Sequence, residues 1–193
     1  IMKWLYENGA KDEVTKAYKN GQTPMQIACQ YKNLHIMKWL YKNGAKDEVT
    51  KADNKGQTPM WIACRYNHLN IMKWLYENGA KDDVTKADNK GQTPMWKACR
   101  YNKLDIMKWL YNNGAKDDVT KADKYGQTPM WIACCYNHLY TMKWLYKNGA
   151  KDDVTKADKN GQTPMWIACH SNKLDIMKWL YKNGAKDDVT KAD

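Results

Sequence analysis

The stretch DNKGQTPMWIACRYNHLNIMKWLYENGA, residues 53–80, opens on a turn, passes through two short helical patterns and closes on a glycine. Thr58-Pro59 marks a helix start. The threonine hydroxyl can accept from an orphan backbone N–H, and proline lacks only a hydrogen that the first turn leaves unpaired. The helix that follows, MWIACRYN, is short, and its small Ala63 and Cys64 let a neighbouring backbone come close. LNIMKWLYEN reads as a second helix, with Gly79 at the left-handed position just past its end. Here Ile71, Met72, Trp74, Leu75 and Tyr76 cover too wide an arc for a one-sided amphipathic helix. Only Asn70, Lys73 and Glu77 mark a solvent-facing stripe. A helix held between two neighbours needs this pattern.

The stretch recurs. GQTPM begins at Gly21, Gly56, Gly91, Gly126 and Gly161, and MKWLY at Met2, Met37, Met72, Met107, Met142 and Met177, so both repeat every 35 residues. The 193 residues then hold a partial unit, 1–17, and units 18–52, 53–87, 88–122, 123–157 and 158–192. A period of this size argues for one solenoid array rather than an ordinary globular core. A single unit cannot bury both flanks of its second helix, and stacking supplies the missing surface. Trp4, Trp39, Trp74, Trp109, Trp144 and Trp179 are expected to form a ladder through the core, each burying about 150–250 Å².

Between helix pairs, AKDDVTKADNKGQ (residues 80–92) is polar and rich in turn formers. It reads as an extended, hairpin-like connection around the β-prone pair Val84-Thr85. Asp82, Asp83 and Asp88 offset Lys81, Lys86 and Lys90 and read as solvated loop residues.

Composition removes several classes of function. No apolar run approaches the ~20 residues of a membrane span, and no signal-peptide pattern opens the chain. The net charge is +11 and 30 of the 32 basic residues are lysine, but the four units from Asp53 onward carry only +1, +3, +2 and +2. Nucleic-acid binding would want those cations clustered on one face, so it is disfavoured. Cys29, Cys64, Cys99, Cys134 and Cys169 are equivalent positions. Stacked helices lie about 8–10 Å apart, beyond the ~7 Å Cα separation a disulfide needs. Reduced, buried thiols in a cytosolic or nuclear setting follow. Cys64-x-x-x-His68 and Cys134-x-x-x-His138 could supply two metal ligands, but the other copies carry Lys103 and Lys173 in the histidine's place. No Walker, Rossmann, calcium-loop or nucleophile-elbow pattern occurs. Active sites are seldom copied in tandem with every residue type intact, so neither an enzyme nor a cofactor is expected.

The quoted residues resemble the ankyrin repeat, whose pattern runs D-x-x-G-x-T-P-L-H-x-A-A-x-x-G-H-x-x-I-V-x-L-L-L-x-x-G-A. Gly56, Thr58, Pro59, Ala63, His68, Ile71, Leu75, Gly79 and Ala80 match at the right spacing, and the resemblance covers the whole chain. It implies an all-α fold, an ankyrin-type α-solenoid: an L-shaped stack of helix pairs with hairpins projecting from one edge. It also implies a non-enzymatic role in protein–protein recognition through a concave face of hairpin tips and first helices. Three departures stand out. The period exceeds the family's usual 33, with the two extra residues at Lys81-Asp82. Trp61, Trp96, Trp131 and Trp166 replace the family's histidine after T-P-L, as Gln26 does in the first unit; tryptophan offers only a donor. Asn67 stands where the family has glycine between helices, and asparagine tolerates the left-handed conformation better than most residues.

The copies differ at Gln30, Arg65, Arg100, Cys135 and His170, late in the first helix. They differ again at the tip pairs Lys19-Asn20, Asn54-Lys55, Asn89-Lys90, Lys124-Tyr125 and Lys159-Asn160. By resemblance these are positions that carry specificity. With Gln57, Gln92, Gln127, Tyr66, Tyr101 and Tyr136 they would form a mildly basic, tyrosine-bearing groove suited to an acidic or amphipathic segment of another protein. The alternative is that they are free surface positions, which tolerate most changes. A second variable set, His35, Asn70, Asp105, Tyr140 and Asp175, falls on the convex side. Lys97 replaces an isoleucine, and the cost of burying a lysine predicts a position only partly covered.

Met2, Trp4 and Leu5 are ordinary core letters rather than the polar residues of a capping repeat. The chain is therefore expected to be an excerpt of a longer array, or to stack end to end on other copies. The latter is a competing reading of function: an elastic or filament-forming scaffold.

Overall fold

The computed structural model describes residues 2–188; the first residue and the last five lie outside the described part. Among the described residues there are eleven α-helices, five short 3-10 turns and no strand. The chain divides into two compact units, residues 1–89 and 90–193. The first holds α1 (Met2–Glu7), α2 (Pro24–Gln30), α3 (Leu34–Lys42), α4 (Pro59–Arg65) and α5 (Leu69–Glu77). The second holds α6 (Pro94–Arg100), α7 (Leu104–Asn112), α8 (Pro129–Cys135), α9 (Leu139–Lys147), α10 (Pro164–His170) and α11 (Leu174–Lys182).

Each helix boundary has the expected chemical cause. Thr58 is the N-cap of α4, its hydroxyl accepting from the Trp61 backbone N–H at 3.3 Å, with Pro59 in the first turn. Thr93, Thr128 and Thr163 repeat the arrangement on α6, α8 and α10. Between paired helices Asn67, Asn102, Asn137 and Asn172 adopt φ of 64°, 54°, 62° and 52°, the left-handed turn anticipated for asparagine. Past α5, Gly79 has φ 113° and the Ala80 N–H returns to the Leu75 carbonyl at 3.0 Å, which closes a Schellman motif.

Within the first unit α2 packs on α3 and α4, and α4 on α5; within the second α6 packs on α7 and α8, and α8 on α9 and α10. The core of each unit is made of repeated small and flexible residues, such as Met60, Ala63, Cys64, Met72 and Leu75, all fully buried. The tryptophan expectation needs correction. Trp39, Trp74, Trp109, Trp144 and Trp179 are only half-buried, and Trp4 is exposed. The buried tryptophans are Trp61, Trp96 and Trp131, on the first helices. The second-helix rings pack edge to face against the tyrosine of the preceding repeat. Tyr41–Trp74 and Tyr111–Trp144 centroids are each 5.5 Å apart at 83° and 84°. Within each unit these ring pairs line the margin of the core.

The connections also differ from the extended hairpin expected. Val84-Thr85 forms no strand; Asp82–Val84 is a 3-10 turn, and Asp47–Val49, Asp117–Val119 and Asp152–Val154 repeat it. The two residues extra to the family's period, Lys81-Asp82, open this turn. Their neighbour is not solvated: Glu48, Asp83, Asp118 and Asp153 are buried, each beside the lysine three residues on, at 3.0, 3.6, 3.7 and 3.8 Å. Asp88, Asp123 and Asp158 are buried too. Asp123 shows why an acid is wanted at the tip. Its Oδ1 accepts from the Tyr125 and Gln127 N–H groups at 2.9 and 3.0 Å, so the carboxylate ties the turn shut. The acid one residue earlier in each turn, as at Asp47, Asp82, Asp117 and Asp152, is exposed.

Candidate interaction surface

The hairpin tips come together through their backbones. In the first unit the Asn54 N–H donates to the Asn20 carbonyl at 3.1 Å and the Asn89 N–H to the Lys55 carbonyl at 2.9 Å. In the second, Lys124 donates to Lys90 and Lys159 to Tyr125, both at 2.9 Å. The approach is close enough to require glycine behind it. Gly126 has φ 81°, and a Cβ there would sit 2.9 Å from the Lys159 nitrogen. Adjacent tips are thus held as a regular edge from which side chains project.

The first-helix residue in the family's histidine position links each tip to the helix beneath it. Trp96 Nε1 donates to the Gln127 carbonyl at 2.9 Å and Trp131 Nε1 to the Gln162 carbonyl at 2.8 Å. Gln26 Nε2 reaches the Gln57 and Lys51 carbonyls at 2.7 and 3.0 Å. A residue that only donates therefore suffices, because its partner is a backbone carbonyl of the next repeat.

The residues nominated from sequence divide into three groups. Lys55, Arg65, Tyr66, Lys90, Lys124, Tyr125 and Tyr136 are exposed on tips or late in first helices. Asn54 and Asn89 are exposed, but their side-chain amides donate to the Lys19 and Asn54 carbonyls at 3.1 and 3.0 Å, so they serve the tip edge. Gln57, Gln127, Arg100 and Tyr101 are half-buried. Gln92 departs from the expectation: it is buried, and its amide is spent on Asp123 Oδ2 at 3.1 Å. Lys97 departs as well. It is 8% exposed, with its Nζ 5.0 Å from the Trp96 ring centroid, where the ring face compensates a buried cation.

The cysteine–histidine pairs are structural. His68 Nδ1–H donates to the Cys29 carbonyl at 2.9 Å and His138 Nε2–H to the Arg100 carbonyl at 3.0 Å. In the same place Lys173 donates to the Cys134 and Cys135 carbonyls at 3.2 and 2.7 Å. A donor at this position satisfies the C-terminal carbonyls of the preceding repeat's first helix, and its positive charge, where present, suits that helix end. Burial lowers the pKa of His138, consistent with a neutral ring. Cys29 and Cys134 each donate Sγ–H to a proline carbonyl of the next repeat at 3.1 Å. Burial pushes the Cys134 thiol up to about 12 and Cys29 higher still, which leaves both as unreactive packing residues. Among the described residues no group of histidines, cysteines and acids is arranged to hold a metal ion.

Sequence reasoning missed Tyr31, the first-unit counterpart of Tyr66, which is among the most exposed aromatics of the chain. It borders a cavity of about 420 Å³ lined also by Tyr18, Pro24 and Ile27. Pro129 and Ile132, the counterparts on α8, are buried in the packing between first helices, so this lining is a helix-packing face.

Helix pairs repeated at a fixed period, joined by tips that hydrogen-bond edge to edge, define a helical-repeat solenoid. The family model for ankyrin repeats, three copies long, matches residues 1–86, 78–156 and 118–193, and the chain belongs to the ankyrin-repeat family. Ankyrin repeats are in general protein–protein interaction modules. No curated protein matches the chain. No helix among the described residues is long and apolar enough to cross a membrane.

Proposed function

We propose that this chain is a non-enzymatic recognition scaffold that binds a partner protein through its hairpin tips and the late turns of its first helices. One observation carries the reading: the positions at which the copies differ on that edge are never buried, and they present arginine and tyrosine. Arg65 in the first unit and Tyr125 in the second stand exposed at such positions, and Tyr66 and Tyr136, tyrosine in four of the five copies, are exposed as well. Those two residue types are enriched at the energetic centres of interfaces, because each combines a large contact area with a polar handle. The basic balance of the chain, +11, favours an acidic or amphipathic partner segment.

The test is selection of binding peptides from a random display library. Alanine at Arg65, Tyr66, Arg100 and Tyr101 together is expected to abolish capture while circular dichroism shows the helices intact. Alanine at Asn70, Asp105 and Tyr140, exposed on the second helices, should leave capture unchanged. Loss with the second set and not the first would move the binding surface elsewhere.

A further inference from the structure

The position late in the first helix changes from copy to copy, and one occupant has surroundings the others lack. Arg65 is exposed and lies over the Tyr66 ring at 5.4 Å. His170 stacks on Trp166, with centroids 4.9 Å apart and planes 7° apart. Arg100 is half-buried, its guanidinium carbon 4.7 Å from the Tyr136 ring centroid, 5.8 Å from Tyr101 and 6.0 Å from Trp96. Its backbone is pinned as well, by the His138 side chain. The surrounding groups seal Nε from water with no acceptor in reach, and among the described residues no other guanidinium nitrogen is sealed in this way. Among the described residues no carboxylate lies within ion-pair distance of Arg100.

This is a cation partly stripped of water, oriented by three rings and left without a counter-charge. Ring faces attract a guanidinium but do not satisfy its N–H donors. Nε stays enclosed on the ring side, so an anion would be met at the terminal Nη edge, where a carboxylate can accept two parallel charge-assisted hydrogen bonds. The side chain is already ordered in the folded chain, so binding there avoids most of the entropy cost of fixing a long flexible arginine.

We propose that Arg100, held by Tyr136, Tyr101 and Trp96, anchors a carboxylate side chain of an acidic peptide segment in the partner. The proposal rests on the recognition function above and names the chemistry of what is recognised. Nucleic acid fits these surroundings less well, since phosphate binding draws on many clustered cations. The adjacent Lys97 is itself buried, Lys103 is the N-cap of the second helix of the same repeat, Lys108 lies on that helix and Lys116 beyond it. Tyr136, 41% exposed, offers an apolar face beside the guanidinium for the residue flanking the acid.

The experiment probes the full chain with an array of random peptides about a dozen residues long, then measures the strongest binder by fluorescence anisotropy. The expected result is enrichment of Asp or Glu at one position of the bound set. Arg100→Lys keeps the charge but not the fork, and is expected to weaken binding by about tenfold. Replacing the peptide's acid by its amide should do the same, and the two changes combined should cost little more than either alone. Arg65→Lys serves as the matched control and should have a smaller effect. Acidic peptides bound equally by Arg100→Lys would overturn the anchor, as would a bound set without acidic enrichment. In both cases the scaffold still captures peptides and the broader reading stands. Failure to bind any peptide, with the fold intact, removes both. A short single-stranded DNA bound as tightly, and released by Arg100→Lys, would assign the site to phosphate instead.

Discussion

Trp131 and Trp144 belong to one repeat, recur at the same period and have opposite fates. Trp131 on α8 is 5% exposed and donates its indole N–H to the Gln162 carbonyl. Trp144 on α9 is half-buried and meets Tyr111 edge-on. The first-helix ring is a core residue and also the link from one tip to the next; the second-helix ring covers a seam. Identical residue type and identical repetition therefore do not imply identical energetic weight. What separates the two is the neighbouring repeat, which offers a backbone acceptor to one ring and only a tyrosine flank to the other.

Truncation breaks the comparison most sharply. Trp131→Ala is expected to cost about 3–5 kcal/mol, the range for emptying a buried aromatic site. Trp144→Ala should cost roughly half as much, because less of the ring leaves contact and solvent can fill the gap. Urea unfolding followed by circular dichroism checks both, and equal midpoint shifts would contradict the distinction. Since solenoid repeats unfold with nearest-neighbour coupling, Trp131→Ala should also broaden the transition.

The fold was largely legible because its rules are local to one repeat. Thr58-Pro59, Asn67 and Gly79 each announce a backbone geometry through their own chemistry, and the period multiplies the signal. The candidate surface was legible only in part. Exposed Arg65 and Tyr125 stood out as variable letters at late-helix and tip positions, with Tyr66 beside them. Gln92, nominated beside them although every copy carries that glutamine, is buried, because its acceptor, Asp123, lies in the following repeat. Lys97 looked too costly to bury until the Trp96 ring face was placed beside it. Asp83 and Asp118 read as solvated members of a charged loop, whereas the 3-10 turn carries them back onto the first helix of their own repeat. Lys97 is covered by its own chain neighbour, but the misses at Gln92, Asp83 and Asp118 concern contacts between segments distant in sequence, which spacing within one segment does not encode.

A subtler change separates the two jobs of the buried tryptophan. Trp131→Phe keeps most of the ring but removes the donor, stranding the Gln162 carbonyl. About 1 kcal/mol of destabilisation is expected from the lost hydrogen bond. The same change at Trp144, whose indole contact is a ring edge, should be smaller. Hydrogen exchange provides the local readout. Trp131→Phe should speed exchange at the Asp158 and Lys159 amides of the following tip, and Trp144→Phe should not. If both variants left those amides unchanged, the indole link would be dispensable for the tip edge.

The smallest expected effect extends the comparison from rings to acids, using the neighbours Asp117 and Asp118. Asp117 is exposed; Asp118 is buried, and burial pushes its pKa up to about 6 against the opposing pull of Lys121 and Thr93. Burial raises Asp153 to about 6 as well, and Asp83 in the same direction. A carboxyl whose folded pKa lies above its free value of 3.8 binds more protons in the folded state. The stability it contributes is present at low pH and is lost as pH rises through about 6. Acidification from neutral pH should therefore stabilise the chain through these groups, while protonation of half-buried His138 opposes it. Asp118→Asn isolates the acid, because the amide imitates the protonated carboxyl. It should raise the melting temperature near neutral pH by about 2–4 °C, the shift for ~1 kcal/mol in a chain of this size, and have almost no effect once the pH lies well below the free value of 3.8. Asp117→Asn should do nothing at either pH. A loss of stability in Asp118→Asn at neutral pH would show that the contact with Lys121 outweighs the cost of burying the charge.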